Sequence, residues 1–453
     1  MLAAFVLTLA PAHAREPAPK SWTLQEAIGG PEGLTVSGSI RARYEALGNQ
    51  FRPGLDRNDD LVTFRTSLFA EYDSGPLRFG GEIIDSRAYD ADAGSPVGTG
   101  EVNALEFVQA YAGLDLDDGL GAGSLTALEF GRFTMDLGSR RLVARNAFRN
   151  TTNAFTGARL RFLRGTKDNL TLFYTFPHQR QPADKRSVLD NDIEWDREGK
   201  ELKFWGGFFG KGGLPDRNGL QLYFLALEEK DSARLQTRNR TLYTPGLRLF
   251  RDPKPGTLDY EIESAYQFGT IRASVAPDAA RMDVSAWFLH AELGRQWDMP
   301  WQPRLSAEFD IASGDGPGGS YGRFDTLFGA RRGDFGPTSI YGPLGRGNII
   351  SPGVRLEVKP DSRWDGFAAY RAAWLENDAD SFSSTGVRDA SGGSGAFGGQ
   401  QIELRARYWI IPKLLRAEAG GAVFFQCGFL KNAPNANGYG DARYGYFDLT
   451  ATF

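Results

Sequence analysis

The sequence predicts an all-β protein: a transmembrane antiparallel β-barrel of about 18 strands with long extracellular loops and short periplasmic turns. Three observations predict it. Apolar and polar residues alternate over long runs, short and long connections alternate along the chain, and glycine and aromatic residues are abundant. The 453 residues include 56 Gly, 32 Phe, 16 Tyr and 9 Trp. A barrel with an apolar outer face and a polar lumen has this composition.

The scarcer residue types exclude several classes of site. The chain has one Cys and three His, which excludes an internal disulfide and a multi-cysteine zinc site. No run of about 18 apolar residues is present, so no helical membrane span is predicted. The net charge of -4 gives no basic footprint for nucleic acid. We therefore expect no cofactor, no metal and no partner nucleic acid.

The first fourteen residues predict a secretory signal peptide. Residues 1–14 are largely apolar and end in Ala12-His13-Ala14, where small residues flank a cleavage point before Arg15. The alternative is a buried N-terminal strand or helix. Residues 15–34 then form a polar periplasmic lead, and 35–453 form the barrel. This organisation predicts export to the outer membrane of a Gram-negative bacterium.

The strands follow from alternation with a period of two, because successive side chains of a strand point to opposite faces. In residues 400–410, for example, Ile402 and Leu404 share one face, and Glu403 and Arg405 share the other. Such runs reach about 9–13 residues, enough for a tilted strand to cross a bilayer. The clearest runs are 36–45, 257–269, 305–312 and 400–410. Weaker runs lie near 61–72, 76–85, 105–114, 125–133, 154–163, 169–177, 202–210, 219–230, 241–250, 284–297, 348–358, 364–374, 414–426 and 443–453.

The connections between these runs alternate in length. Every second connection is short, as at 73–75, 164–168, 359–362 and 411–413. The intervening ones are longer, and the longest are 86–104, 134–153, 178–201, 313–347 and 375–399. Short periplasmic turns that alternate with long extracellular loops are typical of outer-membrane barrels. The terminal Phe453, preceded at period two by Ala451, Leu449 and Phe447, resembles the signal by which such barrels are recognised for assembly.

Charged residues within the strands are expected to face the lumen, because a charge facing lipid costs roughly 2–4 kcal/mol at mid-bilayer. Arg-x-Arg pairs recur at 41/43, 159/161 and 405/407, with both guanidinium groups of a pair on one face. A lumen rich in arginine favours anions, and nearby carboxylates moderate each arginine. The alternative is that these charges pair across the lumen as a structural ladder. The predicted lumen residues are Arg41, Arg43, Glu45, Arg65, Glu71, Arg159, Arg161, Glu308, Asp310, Arg355, Glu357, Arg371, Glu403, Arg405 and Arg407.

Two groups of segments resemble the alginate export family of outer-membrane proteins. The first is residues 131–143 (GRFTMDLGSRRLV), followed by 155–160 (FTGARL). The second is residues 313–315 (SGD), 324–328 (FDTLF) and Tyr341-Gly342, leading to Asn348 and Arg355. The resemblance covers most of the mature chain. It implies a monomeric eighteen-stranded barrel with an electropositive channel for a uronate polysaccharide. It also implies pore-constriction residues, namely Arg132, Arg159, Arg161, Arg405 and Arg407.

The leading functional hypothesis is passive export of an anionic, alginate-like polysaccharide through this pore. The alternative is an anion-selective porin for small carboxylates. Outer-membrane lipid and a periplasmic secretion scaffold are further expected partners. Since every periplasmic turn is short, a gate is expected from 313–347 or 375–399.

A third hypothesis, a barrel enzyme that uses His290, is weaker because no nucleophile lies at an interpretable spacing. Residues 313–316 with Asp325 suggest a Ca²⁺ site, but their spacing does not match an EF-hand loop, and a flexible loop is the favoured interpretation. Trp205 is a candidate for stacking on a sugar ring.

Overall fold

The computed structural model describes residues 22–165 and 168–453, which form one antiparallel sheet closed into a barrel. The predicted signal peptide lies outside the described residues. The eighteen strands of the wall are β1 (Leu34–Gly48), β2 (Asn58–Asp73), β3 (Leu77–Tyr89), β4 (Asn103–Asp117), β5 (Ser124–Phe133), β6 (Phe155–Arg164), β7 (Asp168–Pro177), β8 (Leu202–Leu214), β9 (Asn218–Glu229), β10 (Thr241–Arg251), β11 (Leu258–Arg272), β12 (Arg281–Gln296), β13 (Arg304–Ala312), β14 (Ile349–Val358), β15 (Trp364–Trp374), β16 (Phe397–Ile411), β17 (Leu415–Gln426) and β18 (Ala442–Thr452).

Each strand pairs with its neighbours in the chain, and the last strand closes the sheet on the first. Strand β18 lies antiparallel to β1, with Ile40 opposite Ala451 and Tyr44 opposite Phe447. Closure leaves no sheet edge exposed to lipid, as a membrane-spanning sheet requires. The predicted fold class is confirmed, and each predicted run matches one strand.

Several strands extend beyond their predicted ends on the long-loop side. Strand β1 continues to Gly48 rather than 45, and β3 to Tyr89 rather than 85. Pairing continues there because hydrogen bonds need no apolar outer face, whereas alternation reports only the lipid-facing band.

Short helices occupy parts of the connections. They are α1 (Leu24–Ala27), α2 (Lys185–Leu189), α3 (Arg332–Phe335) and α4 (Gly428–Asn432), with one 3-10 turn at Pro215–Arg217 and a two-residue strand at Ser320–Tyr321. Within the described ranges, no helix is long and apolar enough to cross a membrane.

The barrel is apolar outside, and its lumen is filled in part by loops. Large apolar side chains on the outer face are exposed, Phe130 to 57% and Leu404 to 59%. Inside, Phe328 of the loop 313–348 packs against Phe155 and Phe204 of the wall, at ring-centroid distances of 5.2 and 4.9 Å. This buried aromatic contact places the loop within the lumen and positions the site described next.

Candidate functional site: an arginine-lined channel

The loop 134–154, which follows β5, folds into the lumen and is held there by wall arginines. Arg41 donates from Nη1 to the carbonyl oxygen of Ala147 (3.0 Å) and from Nη2 to that of Arg149 (3.2 Å). Arg65 donates to the same two carbonyls, each at 3.2 Å. Arg43 donates to the carbonyl of Phe148 at 2.9 Å. Neighbouring strands thus grip the loop by its main chain.

The loop 313–348, which follows β13, also enters the lumen and contacts both the wall and the loop 134–154. Arg332 pairs with Glu403 of β16 at 2.6 Å. Asp334 accepts from Arg141 of the loop 134–154, at 2.9 Å from Nη2, and from Arg346. Asp334 therefore joins the two loops. The sequence pattern favours 313–347 or 375–399 as a gate, but it gives no sign that 134–154 enters the barrel.

An outer chamber of about 570 Å³ lies on the long-loop side of these two loops. Five arginines line it against two carboxylates, Glu101 and Asp325. Arg346 is 3% exposed, and its Nε and Nη1 have no hydrogen-bond partner among the described residues. The lining arginines are Arg149, Arg180, Arg323, Arg331 and Arg346.

An inner chamber of about 350 Å³ lies on the short-turn side. It shares Asn146 and Ala330 with the outer chamber, so the two spaces meet where the loops 134–154 and 313–348 face each other. Seven arginines line it against three carboxylates. The arginines are Arg41, Arg43, Arg140, Arg332, Arg405, Arg407 and Arg416, and the carboxylates are Asp334, Glu418 and Asp448.

Many of the wall arginines predicted from the sequence pair with carboxylates. Arg159 and Arg161 share Glu129, at 2.6 and 2.7 Å. Arg405 and Arg407 share Asp365, at 2.7 and 2.8 Å. Other pairs are Arg43 with Asp448 (2.9 Å), Arg355 with Glu357 (3.0 Å), and Arg371 with Asp310 (2.8 Å) and with Glu308. The ladder interpretation thus describes part of the wall, whereas the arginines of the outer chamber come from the loops.

The loop arginines that line the chambers have no counterpart among the predicted site residues. Alternation identifies the charged face of a strand, but it does not report where a loop goes. A usable signal is present nonetheless, because the doublets Arg140-Arg141 and Arg331-Arg332 fall in two of the longest loops.

Arg132 and Trp205 differ from the other candidates, because the structure places both on the outer face of the wall. Arg132 pairs in register with Ala110, and both share the face of the exposed Phe130. Trp205 lies opposite the exposed Tyr174 on β7. For Arg132, the left-handed backbone of Gly131 (φ 123°) interrupts the regular strand just before it.

Arg132 lies under the loop 178–201, which forms a polar clasp with the outer wall. Its Nη1 donates to Glu106 at 2.6 Å. His178 contacts Glu198 through Nε2, which also lies 2.8 Å from the Thr156 hydroxyl. The hydrogen bond from His178 lowers the pKa of Glu198 to about 2. Burial acts to lower the pKa of His178, but Asp196 and Glu198 outweigh it, and the net shift is upward.

We expect this clasp to be most stable between about pH 4.5 and 6.5. The histidine contribution is complete below its unfolded pKa of about 6.5 and is lost as the pH rises through the raised value. The glutamate contribution is complete above about pH 4.5 and is lost as the pH falls through about 2. Limited proteolysis of 178–201 should therefore be faster at pH 9 than at pH 5.5. The variant H178Q should abolish this difference, whereas D190N in the same loop should keep it.

The residues considered for catalysis or Ca²⁺ binding take part in structural contacts. His290 Nδ1 is hydrogen-bonded to Asp310 Oδ1 at 2.8 Å, and Asp310 also pairs with Arg371. Asp325 pairs with Arg240 at 2.7 Å, and Asp315 accepts from the Gly322 amide at 3.0 Å. Among residues 22–165 and 168–453, no group of three or more His, Cys, Asp or Glu side chains is suited to hold a metal.

A closed eighteen-strand barrel with a lumen crossed by charged chambers defines an outer-membrane channel. The model of the alginate export family matches residues 33–440, and the chain belongs to this family. The resemblance stated from the motifs is thereby confirmed, as is the outer-membrane location. No curated protein matches the chain.

Solved structures of outer-membrane proteins from Pseudomonas aeruginosa share the fold. OpdK with vanillate aligns with a TM-score of 0.58 at 13% identity, covering 92% of this chain and 98% of that chain. OccK2 (OpdF) in complex with glucuronate aligns with a TM-score of 0.55 at 14% identity, with the same coverage. OpdQ aligns at 0.56 and 14% identity, covering 93% of this chain and 97% of that chain. At these identities the likeness concerns the fold.

Proposed function

We propose that this protein is an anion-selective channel that conducts uronates by passive diffusion. The observation that carries the proposal is the excess of arginine over carboxylate in both chambers, in a chain whose net charge is -4. Guanidinium groups bind carboxylates through a planar fork and stay charged at any working pH. Successive arginine-rich chambers of this kind attract an anion without a single trap that holds it.

The chamber volumes favour small uronates as the permeant species. Volumes of about 570 and 350 Å³ lie within the range of sites for small ligands, roughly 300–1,000 Å³. The solved complex of OccK2 with glucuronate supports the same chemical class. Export of an alginate-like polysaccharide is the second candidate, favoured by the family match over 33–440. A polymer would require the loops 134–154 and 313–348 to part.

Recordings from purified protein in planar bilayers test both candidates. Reversal potentials in a KCl gradient should show chloride preferred over potassium. Addition of glucuronate should reduce the chloride current, and a uronate tetramer added at equal carboxylate concentration should reduce it less if small uronates permeate. An equal or larger reduction of the chloride current by the tetramer would favour export of a polysaccharide. Cation selectivity would contradict the proposal.

The double variant R405A/R407A should lower the chloride-to-potassium permeability ratio several-fold. Both arginines line the inner chamber and share Asp365, so their removal takes away two cations and leaves one carboxylate without its partners. A matched control is R164Q/R217Q, which removes two exposed arginines, one at the end of β6 and one in the turn Pro215–Arg217. An unchanged ratio in R405A/R407A would remove these residues from the conduction path.

A further inference from the structure

Four arginines, three of which line the outer chamber, come from four different loops and have no carboxylate partner among the described residues. They are Arg52 in 49–57, Arg149 in 134–154, Arg180 in 178–201 and Arg331 in 313–348. Among the described residues, none of them has a carboxylate oxygen within 4.0 Å, the distance that defines an ion pair. This sets them apart from wall arginines such as Arg159 and Arg355, which pair with carboxylates at 2.6 and 3.0 Å.

Neutral oxygens hold these four guanidinium groups instead. Arg149 and Arg180 both donate to Asn153 Oδ1, at 2.9 and 2.6 Å. Arg331 donates to the Ser384 hydroxyl at 2.5 Å. Arg52 donates to the carbonyl of Ile340 at 2.9 Å. Their positive charges are therefore positioned but not neutralised by these contacts.

The four arginines are close enough to affect one another. Burial, with the neighbouring charges of Arg180 and Arg331, lowers the pKa of Arg149. Burial and Arg331 lower the pKa of Arg52 to about 10. Such mutual repulsion is costly unless an anion lies among the cations. The electrostatic interaction that all four share is attraction to Glu101.

Glu101 is placed to act as that anion, and it forms no direct ion pair with any of the four arginines. It lines the outer chamber, it is 5% exposed, and its Oε2 accepts from the Gly98 amide at 3.1 Å. Within the described part of the chain, no cation lies within 4.0 Å of its carboxylate. Its wider charged surroundings are the four arginines, Lys185 of α2 and Glu45 of β1.

We propose that Glu101 is the internal counterion of the outer chamber and that its protonation switches the affinity of the chamber for a permeant carboxylate. The inference rests on the proposed anion channel and adds a regulator to it. When Glu101 is ionised, it competes with the permeant anion for Arg149, Arg180 and Arg331, which line the chamber with it. When it takes up a proton, the chamber gains one net positive charge, and the arginines become free for the permeant anion.

The acid–base behaviour of this position fits the role. Burial raises the pKa of Glu101 to about 7, with repulsion from Glu45 acting in the same direction and the Gly98 amide and Arg149 acting against it. Glu101 is therefore neutral below about pH 7 and charged above it. Anion selectivity should accordingly rise as the pH falls through 7.

Reversal potentials of the full-length channel at pH 5.5, 7 and 8.5 test the proposal, with KCl as the probe. The wild-type chloride-to-potassium permeability ratio should rise about three- to tenfold from pH 8.5 to 5.5, the effect of one charge at short, partly screened range. Its midpoint should lie near pH 7 with the slope of one proton. E101Q keeps an acceptor for the Gly98 amide and should show the acidic value at all three pH values.

Two control variants separate Glu101 from its neighbours. D325N removes the other carboxylate of the chamber, which is paired with Arg240, and should change the ratio while its pH dependence remains. H178Q removes a histidine that lies on the outer wall and should also keep the pH dependence. Wild-type pH dependence in E101Q would overturn the proposal, and so would an anion-selective wild type that does not respond to pH. A wild-type channel that shows no anion selectivity at any of the three pH values would instead overturn the proposed function.

Discussion

Replacing Arg41 and Arg65 with alanine should widen the channel and raise its single-channel conductance several-fold. Together these side chains donate to the carbonyls of Ala147, Phe148 and Arg149, and each such bond from a charged donor contributes about 1.5–3 kcal/mol. Without them, two wall arginines still donate to main-chain oxygens of the loop 134–154, Arg43 to Phe148 and Arg159 to Thr134 at its start. Residues 147–149 should then separate from the wall, while Arg141 and Arg145 keep their ion pairs with wall carboxylates, and anion selectivity should fall.

Single-channel recording, with hydrogen exchange of residues 144–150, measures this effect. The matched control is R161Q, because Arg161 pairs with Glu129 on the wall and makes no contact with the loop. R161Q should leave conductance unchanged. Normal conductance in R41A/R65A, together with full protection of the loop amides, would show that other contacts hold the loop.

The substitution D334N should release the loop 313–348 while the barrel remains intact. Arg141 keeps Glu261 and Glu263, but Arg346 loses its close partner and retains only Asp310 at 3.8 Å. Removing one member of a buried ion pair costs about 3–5 kcal/mol because the remaining charge stays uncompensated. That cost falls on the loop rather than on the strand pairing.

Protease added from the long-loop side should therefore cut D334N within 313–348 faster than the wild type. Heat-dependent migration in gels, a measure of the intact barrel, should be the same for both. D315N is the control in the same loop, since among the described residues the Asp315 side chain accepts only from the Gly322 amide. A wild-type cleavage rate in D334N would mean that Asp334 does not hold the loops together.

The strands of the wall were predictable because the membrane environment constrains which residues each strand can carry. A strand between lipid and water must alternate, so runs such as 257–269 and 400–410 identify their strands and their charged faces. The alternating lengths of the connections identify the two ends of the barrel. Strand ends above the lipid, such as 46–48 of β1, carry no such constraint and were missed.

The site was predictable only where it belongs to the wall. Arg41, Arg43, Arg405 and Arg407 line the inner chamber, as their alternation indicates. The outer chamber is built mainly by loop residues such as Arg149 and Arg331, whose positions depend on contacts with distant strands. Arg132 belongs to the wall but was placed on the wrong face, because the motif around Gly131 does not reveal on which side of the wall its arginine lies.

The manner in which the loop 134–154 is held has a consequence for how such channels diverge. Arg41, Arg43 and Arg65 grip it largely through main-chain oxygens, which every amino acid supplies. These hydrogen bonds therefore do not depend on the side chains of Ala147, Phe148 and Arg149, whose carbonyl oxygens accept them. New permeant anions can thus be accommodated by exchanging loop residues while the barrel stays the same, and the loop is a natural segment for grafting altered specificity.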